Sequence, residues 1–251
     1  FPLYENLNQL NGDHKAKEFN IISKQSLEKT AAKLADSFTT VSDLTGKECK
    51  QFLGRKVDIV TPNGFEDDFV PTAENFGQKR NQAKEKFAEV ASAVLNENIP
   101  EDSFFIGISG RYEFKNKGID LFIKALGEIK KSKNVKRKTI AFVLIPANHY
   151  GADKLLVQKL ANKNTDIQIS ENYLTHKLHD KDYDPVLHEI SKSQIDNGED
   201  SSLKIIFVPS YLNGSDGIFN MSYFDLLIGL DLTIFPSYYE PWGSTPLESL
   251  C

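Results

Sequence analysis

The sequence predicts an α/β fold in which the strands of a parallel sheet alternate with helices. Four short apolar runs have the length and the β-branched or aromatic composition of buried strands. The segments between them carry apolar residues at helical spacing, as at Ile119, Phe122, Ile123 and Leu126. Such alternation is typical of α/β proteins. The four predicted strands are Phe104–Ser109, Thr139–Ile145, Lys204–Val208 and Leu232–Phe235.

The residues before this region predict the end of an earlier α/β lobe. Leu27, Ala31 and Leu34 mark one face of a helix, and Ser42 is placed to cap another helix that ends at Gly54. Strands are predicted at Ser37–Val41 and Val57–Thr61, and a charged helix runs from Ala73 to about Leu95 before Ile99-Pro100. We therefore predict three segments, 1–71, 72–101 and 102–251.

Composition limits the classes of partner and compartment. The 251 residues are 40% hydrophobic and 26% charged, which is ordinary for globular protein. A net charge of −5 argues against nucleic acid as the main partner. Two cysteines are too few for a disulfide framework, so we expect a reducing, cytoplasmic compartment. Because no apolar run approaches about 20 residues, no membrane span is expected.

The last segment of the chain predicts a nucleotide-sugar site. Because strands of open α/β sheets place ligands at their carboxyl ends, Glu240, which follows the strand 232–235, is expected in a ligand crevice. Gly243, Ser244 and Thr245 could then present free backbone N–H groups at the start of a helix, where phosphate oxygens are stabilised. Glu248 is expected further along that helix.

The spacing of Glu240 and Glu248 argues against a glycoside hydrolase. Eight residues of helix rise roughly 12 Å, whereas the paired acids of such hydrolases stand about 5 to 9.5 Å apart. Two acids at the larger separation suit the hexose and ribose ends of an elongated ligand. The alternative is that Tyr238, Tyr239 and Trp242 are core aromatics and that both glutamates are solvated.

A second cluster lies after the strand Phe104–Ser109. There Arg111 and Lys117 belong to a loop that crosses the same edge of the predicted sheet, within reach of a diphosphate. The alternative is a solvated loop whose charges only aid solubility. The presence of two such loops in one sheet favours the binding interpretation.

These two stretches resemble the glycogen synthase family of the animal and fungal type. The resemblance is carried by 110–120, GRYEFKNKGID, and 237–246, SYYEPWGSTP, and extends to shorter motifs from about Glu18 to the last residue. It implies UDP-glucose-dependent retaining transferases of the GT-B fold. The implied fold class is α/β of GT-B type, with a C-terminal Rossmann-like lobe at 102–251, an interlobe helix at 72–101, and the tail of an N-terminal, acceptor-side Rossmann-like lobe at 1–71.

The resemblance also implies a role for each matching residue. Arg111 and Lys117 would hold the diphosphate, and Glu240 the hexose hydroxyls near the reacting carbon; these three are the implied catalytic residues. The implied substrate-binding residues are Asn63, Gly64, Tyr223, Trp242, Gly243, Ser244, Thr245 and Glu248. Within this set Tyr223 would stack on uracil, Glu248 would accept from the ribose, and Asn63-Gly64 would face the cleft from the other lobe. Phe65 stands where the family usually has leucine, and Ser244 where it has tyrosine.

The implied reaction is transfer of glucose from UDP-glucose to the non-reducing end of an α-1,4-glucan, with retention of configuration. No metal or other cofactor is expected, since the cations and helix-start amides would stabilise the leaving diphosphate; His176, His179 and His188 lack a matching ligand set. UDP-glucose and α-glucan are the expected partners, and a homo-oligomer stays open. Because the first segment, Phe1–Asn11, has no strand with the family's glycine-rich loop and the chain stops less than a turn after Glu248, we expect a fragment. Catalysis is expected to need more of the family's chain than is present here. The alternatives are another GT-B transferase, of the sucrose or trehalose type, and a UDP-binding module or scaffold.

Overall fold

The computed structural model describes residues 3–132, 135–162 and 166–251. Phe1 and Pro2 of the first predicted segment, and 133–134 and 163–165 of the third, lie outside the described residues. The chain divides into two compact units, each described here by itself. The first unit comprises Phe1–Glu66 with Glu240–Ser244, and the second comprises Asp67–Tyr239 with Thr245–Cys251.

The first unit contains short helices and one pair of parallel strands. Its elements are a 3-10 turn at Leu7–Gln9, α1 (Gly12–Glu18), α2 (Ile22–Leu34), β1 (Thr39–Thr40), α3 (Asp43–Glu48), a π-helical turn at Cys49–Leu53 and β2 (Ile59–Val60). The helix predicted from Ser42 to Gly54 is confirmed. Ser42 and Thr45 form a reciprocal capping box, and Gly54 ends the segment at φ 73°, where glycine is favoured. Both predicted strands are present but reduced to two residues each.

The remaining elements of the described residues are α4 (Phe76–Leu95), β3 (Phe104–Ser109), α5 (Ile119–Ser132), β4 (Thr139–Leu144), β5 (His149–Ala152), α6 (Lys154–Asn162), β6 (His176–Leu178), a 3-10 turn at Lys181–Tyr183, α7 (Pro185–Lys192), β7 (Leu203–Val208), α8 (Tyr223–Leu227), β8 (Leu232–Thr233) and α9 (Ser244–Leu250). In the second unit, four of the strands form a parallel sheet in the order β7-β4-β3-β8. This arrangement confirms the prediction of a mixed α/β fold with parallel strands. The antiparallel pair β5–β6 was not predicted.

Both faces of the four-stranded sheet are buried by apolar clusters. Phe87 of α4 packs with Phe105 and Phe142 on one face. Ile119 and Ile123 of α5 belong to the cluster on the opposite face. Because successive strand residues point to opposite faces, β3 and β4 contribute alternate residues to the two clusters. A parallel sheet that is covered on both sides explains why its strands are nearly continuous apolar runs.

The strand β8 is shorter and more exposed than the predicted strand Leu232–Phe235. It pairs only with Ile106 and Gly107 of β3, and Leu232 is 47% exposed at the edge of the sheet. The prediction of a buried strand up to Phe235 is therefore wrong. Pro236 has no N–H to donate to a ladder, and the chain beyond it turns across the loop that follows β3. The carboxyl ends of all four strands nevertheless lie at one edge, because the strands are parallel.

Membrane-spanning helices are not found in the part of the chain that the structure describes, since none of its helices combines the necessary length and apolar character.

Candidate functional site

The loop between β3 and α5 forms a tight turn that presents Arg111 and Lys117. The N–H of Lys117 donates to the carbonyl of Glu113 at 2.8 Å, and the N–H of Gly118 donates to Lys115 at 2.9 Å. Lys117 is only 9% exposed, and its side-chain stem passes 3.8 Å from the position that a Cβ at Gly110 would occupy. The aliphatic stem of Lys117 is thus packed along the loop that carries Arg111.

Arg111 is held in a chain of polar contacts that reaches the loop after β8. Its side chain is 78% exposed, and its Nε lies 3.3 Å from Oε1 of Glu113. The other oxygen of Glu113 accepts from Nδ2 of Asn116 at 2.7 Å. The carbonyl oxygen of Asn116 in turn accepts from the N–H of Tyr238 at 2.8 Å. The two loops that the sequence singled out are therefore hydrogen-bonded to each other at the carboxyl edge of the sheet.

Gly118 allows a second close approach between these loops. It has φ 65°, and a Cβ atom added there would lie 2.1 Å from the carbonyl oxygen of Pro236. No side chain fits in that space, and the backbone conformation itself disfavours L residues. Glycine is therefore required at the start of α5 for the two loops to meet.

Tyr223 and Glu248 are the other two predicted nucleotide ligands considered at the carboxyl edge of the sheet. The hydroxyl of Tyr223 lies 2.8 Å from Oγ of Ser109, the last residue of β3. Burial raises the pKa of Tyr223 to about 12, with a further contribution from the charge of Glu248. Burial also raises the pKa of Glu248 itself. The charge of the half-buried Glu248 thus acts on the half-buried hydroxyl of Tyr223.

The helix α9 begins at Ser244, as the sequence predicts, directly after Gly243 with φ 82°. Its far end is attached to β8 by a 2.5 Å hydrogen bond between Thr233 Oγ1 and Ser249 Oγ. Glu240 lies outside this helix, so the separation of Glu240 and Glu248 does not follow from helical rise. That step of the sequence argument is wrong, because the glycine at 243 interrupts the helical conformation that it assumed.

The predicted site residues divide between the two units. Arg111, Lys117, Tyr223, Thr245 and Glu248 belong to the second unit. The first unit contains the others, which are Asn63, Gly64, Glu240, Trp242, Gly243 and Ser244. Asn63 and Gly64 are exposed in the irregular segment after β2, where the sequence placed them, and Glu240 and Trp242 are half-buried. The assignment of a ligand atom to each residue stays a prediction.

A contact beside Arg111 was not anticipated from the sequence. Tyr112 follows Arg111, and its hydroxyl donates to Oδ2 of Asp184 at 2.6 Å. The Asp184-Pro185 pair is a recognisable helix-start signal, and it does cap α7. Nothing in the local pattern connects that cap to a loop 72 residues earlier, so the pairing needed the tertiary structure.

The histidines considered as metal ligands do not belong to a metal-binding cluster among the described residues. Both ring nitrogens of the buried His176 are in hydrogen bonds, one to Thr175 and one to the carbonyl of Asp216. Burial lowers the pKa of His176 and favours the neutral ring. Among residues 3–132, 135–162 and 166–251, no three His, Cys, Asp or Glu side chains form a cluster suited to a metal ion.

Comparison with known families decides the family. The glycogen synthase family model matches residues 1–172 and 153–251, which together cover the whole chain. The chain belongs to the glycogen synthase family. The resemblance inferred from 110–120 and 237–246 is thereby confirmed.

Several curated relatives in this family are similar to the chain over nearly all of its length. Glycogen [starch] synthase isoform 2 of Saccharomyces cerevisiae is 28% identical over 312 residues, which cover 99% of the chain and 44% of the yeast protein. The glycogen [starch] synthase of Caenorhabditis elegans is 28% identical, with 98% and 45% covered. The human liver enzyme is 27% identical, with 98% and 42% covered. The chain therefore spans less than half the length of these relatives.

Proposed function

We propose that this member of the glycogen synthase family binds UDP-glucose and takes part in the transfer of glucose to the non-reducing end of an α-1,4-glucan. The observation that carries the proposal is the carboxyl edge of the four-stranded sheet. There one loop carries two cations, Arg111 and Lys117, while Tyr223 and Glu248 form a separate half-buried pair. Cations suit a diphosphate, and an aromatic ring beside a carboxylate suits a nucleoside.

In this proposal Arg111 offers its exposed guanidinium to the diphosphate, and the ammonium of Lys117 supplies a second positive charge. Each charge-assisted contact is worth about 1.5 to 3 kcal/mol. Tyr223 stacks on uracil, and Glu248 accepts from a ribose hydroxyl. We call the loop between β3 and α5, residues 110–118, the phosphate-binding loop, after the role proposed for Arg111 and Lys117. Because this loop is hydrogen-bonded to the segment after β8, the cations are held beside the chain that leads to Glu240.

We assign the hexose to Glu240 and the first turn of α9. Backbone N–H groups at Gly243, Ser244 and Thr245 would donate to sugar or phosphate oxygens, as the first N–H groups of a helix have no partner within the helix. Trp242, Asn63 and Gly64 are assigned to the substrate by the family resemblance alone. Transfer with retention would proceed by departure of UDP and attack of the glucan hydroxyl on the same face. The two units would be lobes of a GT-B enzyme in the cytoplasm.

In this mechanism protein groups stabilise the leaving diphosphate, so no metal ion is required. Addition of EDTA should leave the affinity for UDP unchanged. A loss of UDP affinity that Mg²⁺ or Mn²⁺ restores would show that a cation takes part in binding.

Two assays on the same preparation test the proposed function. Equilibrium titration measures UDP and UDP-glucose binding, and incubation with labelled UDP-glucose and glycogen measures transfer, with yeast isoform 2 as the positive control. Label in glycogen that α-1,4-specific amylase releases supports the transferase. Failure to bind either nucleotide would remove the proposal.

A second candidate function is a nucleotide-binding module without transferase activity. It is favoured by the position of Arg111, Lys117, Tyr223 and Glu248, the proposed side-chain ligands of the diphosphate and the nucleoside, in the second unit. UDP binding without incorporation of label would support this candidate.

A further inference from the structure

The phosphate-binding loop is attached to the protein on the side away from β8 by a contact that involves no predicted site residue. The hydroxyl of Tyr112 donates to Oδ2 of Asp184 at 2.6 Å, a short distance typical of an O–H donor and a carboxylate. Asp184 is only 7% exposed. Tyr112 immediately follows Arg111, so this contact fixes the backbone from which the exposed guanidinium projects.

The carboxylate of Asp184 has a second set of partners that fix its own position. Its Oδ1 accepts from the N–H groups of Val186 and Leu187, both at 3.0 Å, and thereby caps α7. One oxygen therefore caps α7, and the other accepts the hydrogen bond from Tyr112. Since both oxygens have partners, Asp184 cannot rotate without losing either the cap or the contact to the loop.

The ring of Tyr112 is held independently of its hydroxyl. It packs edge-to-face on Phe207 of β7, with ring centroids 6.1 Å apart. Burial, followed by the hydrogen bond to Asp184, raises the pKa of Tyr112, so the hydroxyl keeps its proton and remains a donor at neutral pH. Removing the oxygen alone should therefore leave the ring in place and release only the connection to α7.

We propose that Asp184 is a positioning residue for diphosphate binding, which acts on Arg111 through Tyr112. This inference rests on the proposed function, because it takes Arg111 to be a diphosphate ligand. Arg111 is exposed, and within the described part of the chain its side chain is held by the Glu113 contact at 3.3 Å. A rigid backbone at Tyr112 lowers the conformational entropy that Arg111 loses when it binds the two phosphate groups.

The test compares UDP with uridine by titration calorimetry on the full chain carrying Tyr112→Phe. Uridine lacks the phosphates, so it reports Tyr223 and Glu248 but not the loop. We expect the variant to bind UDP about tenfold more weakly and to bind uridine as the wild type does. Asp184→Ser keeps a capping oxygen for α7 but is too short to reach Tyr112, so it should reproduce the effect. Tyr183→Phe, at a tyrosine that is 85% exposed, is the matched control and should change neither ligand.

Four results would overturn the inference. Equal UDP affinity in wild type and Tyr112→Phe would do so while leaving the proposed function intact. Parallel losses for UDP and uridine would show a general structural defect instead of a phosphate-specific one. In the background of Arg111→Ala, Tyr112→Phe should have little further effect on UDP, and full additivity of the two substitutions would also contradict the inference. Absence of UDP binding in the wild type would remove both this inference and the proposed function.

Discussion

The N–H of Tyr238 donates to the carbonyl oxygen of Asn116 at 2.8 Å. This bond joins the loop that carries Arg111 and Lys117 to the segment that leads from β8 to Glu240. The two loops lie beside each other because β3 and β8 are neighbouring parallel strands with both carboxyl ends at one edge. Substitutions that separate the loops should therefore affect stability and ligand binding together.

Replacing Gly118 with alanine should be among the most destabilising single changes at this edge. The new Cβ would lie 2.1 Å from the Pro236 carbonyl oxygen, and the φ of 65° adds a cost of about 1 to 2 kcal/mol for an L residue. We expect the free energy of unfolding, measured by chemical denaturation, to fall by more than about 3 kcal/mol, and UDP to bind more weakly.

Gly214→Ala is the matched control for that substitution. Gly214 also has a positive φ, 88°, but nothing lies within 4 Å of an added Cβ. Gly214→Ala should lower the free energy of unfolding only by the cost of a positive φ for an L residue, about 1 to 2 kcal/mol. Equal destabilisation of the two variants would show that the approach of Pro236 to Gly118 contributes nothing.

Glu248 should make UDP affinity depend on pH in the acid range. Burial raises the pKa of this carboxyl above its ordinary value of 4.5, and the ionised form is the stronger acceptor for a ribose hydroxyl. Affinity should therefore be highest at neutral pH and fall as the pH decreases through the raised pKa. Glu248→Gln cannot titrate, so the difference between the wild-type and variant profiles removes the titration of UDP itself. Profiles of the same shape would exclude Glu248 from the site.

Tyr223 has two separable contributions. Tyr223→Phe removes the 2.8 Å contact to Ser109 but keeps a ring for stacking, whereas Tyr223→Leu removes the ring. We expect uridine affinity to fall by about 1 to 3 kcal/mol for the leucine variant and by clearly less for the phenylalanine variant. Calorimetry with uridine measures both. Similar affinities for the leucine variant and the wild type would contradict stacking on uracil.

Glu240 and Glu248 should differ in which kinetic parameter they control, in any version of the protein that transfers glucose. If Glu240 contacts the hexose as charge develops at the anomeric carbon, Glu240→Gln should lower kcat far more than UDP affinity. If Glu248 binds ribose equally in both states, Glu248→Gln should mainly raise the donor KM. Equal losses of UDP affinity in the two variants would refute this division of roles.

The sequence predicted the parts of the fold that depend on local pattern. The bounds of β3 are as predicted, and Ser42 and Gly54 delimit a helical segment because capping and left-handed glycine are short-range effects. The predicted end of β8 was wrong because the strand is followed by the close approach of Pro236 to Gly118, and such a tertiary contact is not visible in the local sequence. The β5–β6 pair was missed because short polar strands such as His176–Leu178 carry no apolar pattern.

For the candidate site too, the sequence predicted local positions but not tertiary contacts. Arg111, Lys117 and Tyr223 were placed correctly on their loop and helix, because a strand–loop–helix order determines those positions. Tyr112 and Asp184 were not connected, since their contact depends on how α7 packs beside the sheet. The spacing of Glu240 and Glu248 could not be taken from helical rise, since Gly243 ends the helical conformation before Glu240.

The central claim is that the carboxyl edge of the second unit binds the diphosphate of a uridine nucleotide. Titration calorimetry of UDP against the chain, with and without Arg111→Ala, tests it most directly. The account predicts saturable binding of UDP by the wild type and a loss of about 1.5 to 3 kcal/mol in the variant. Absence of UDP binding, or an unchanged affinity in Arg111→Ala, would contradict it.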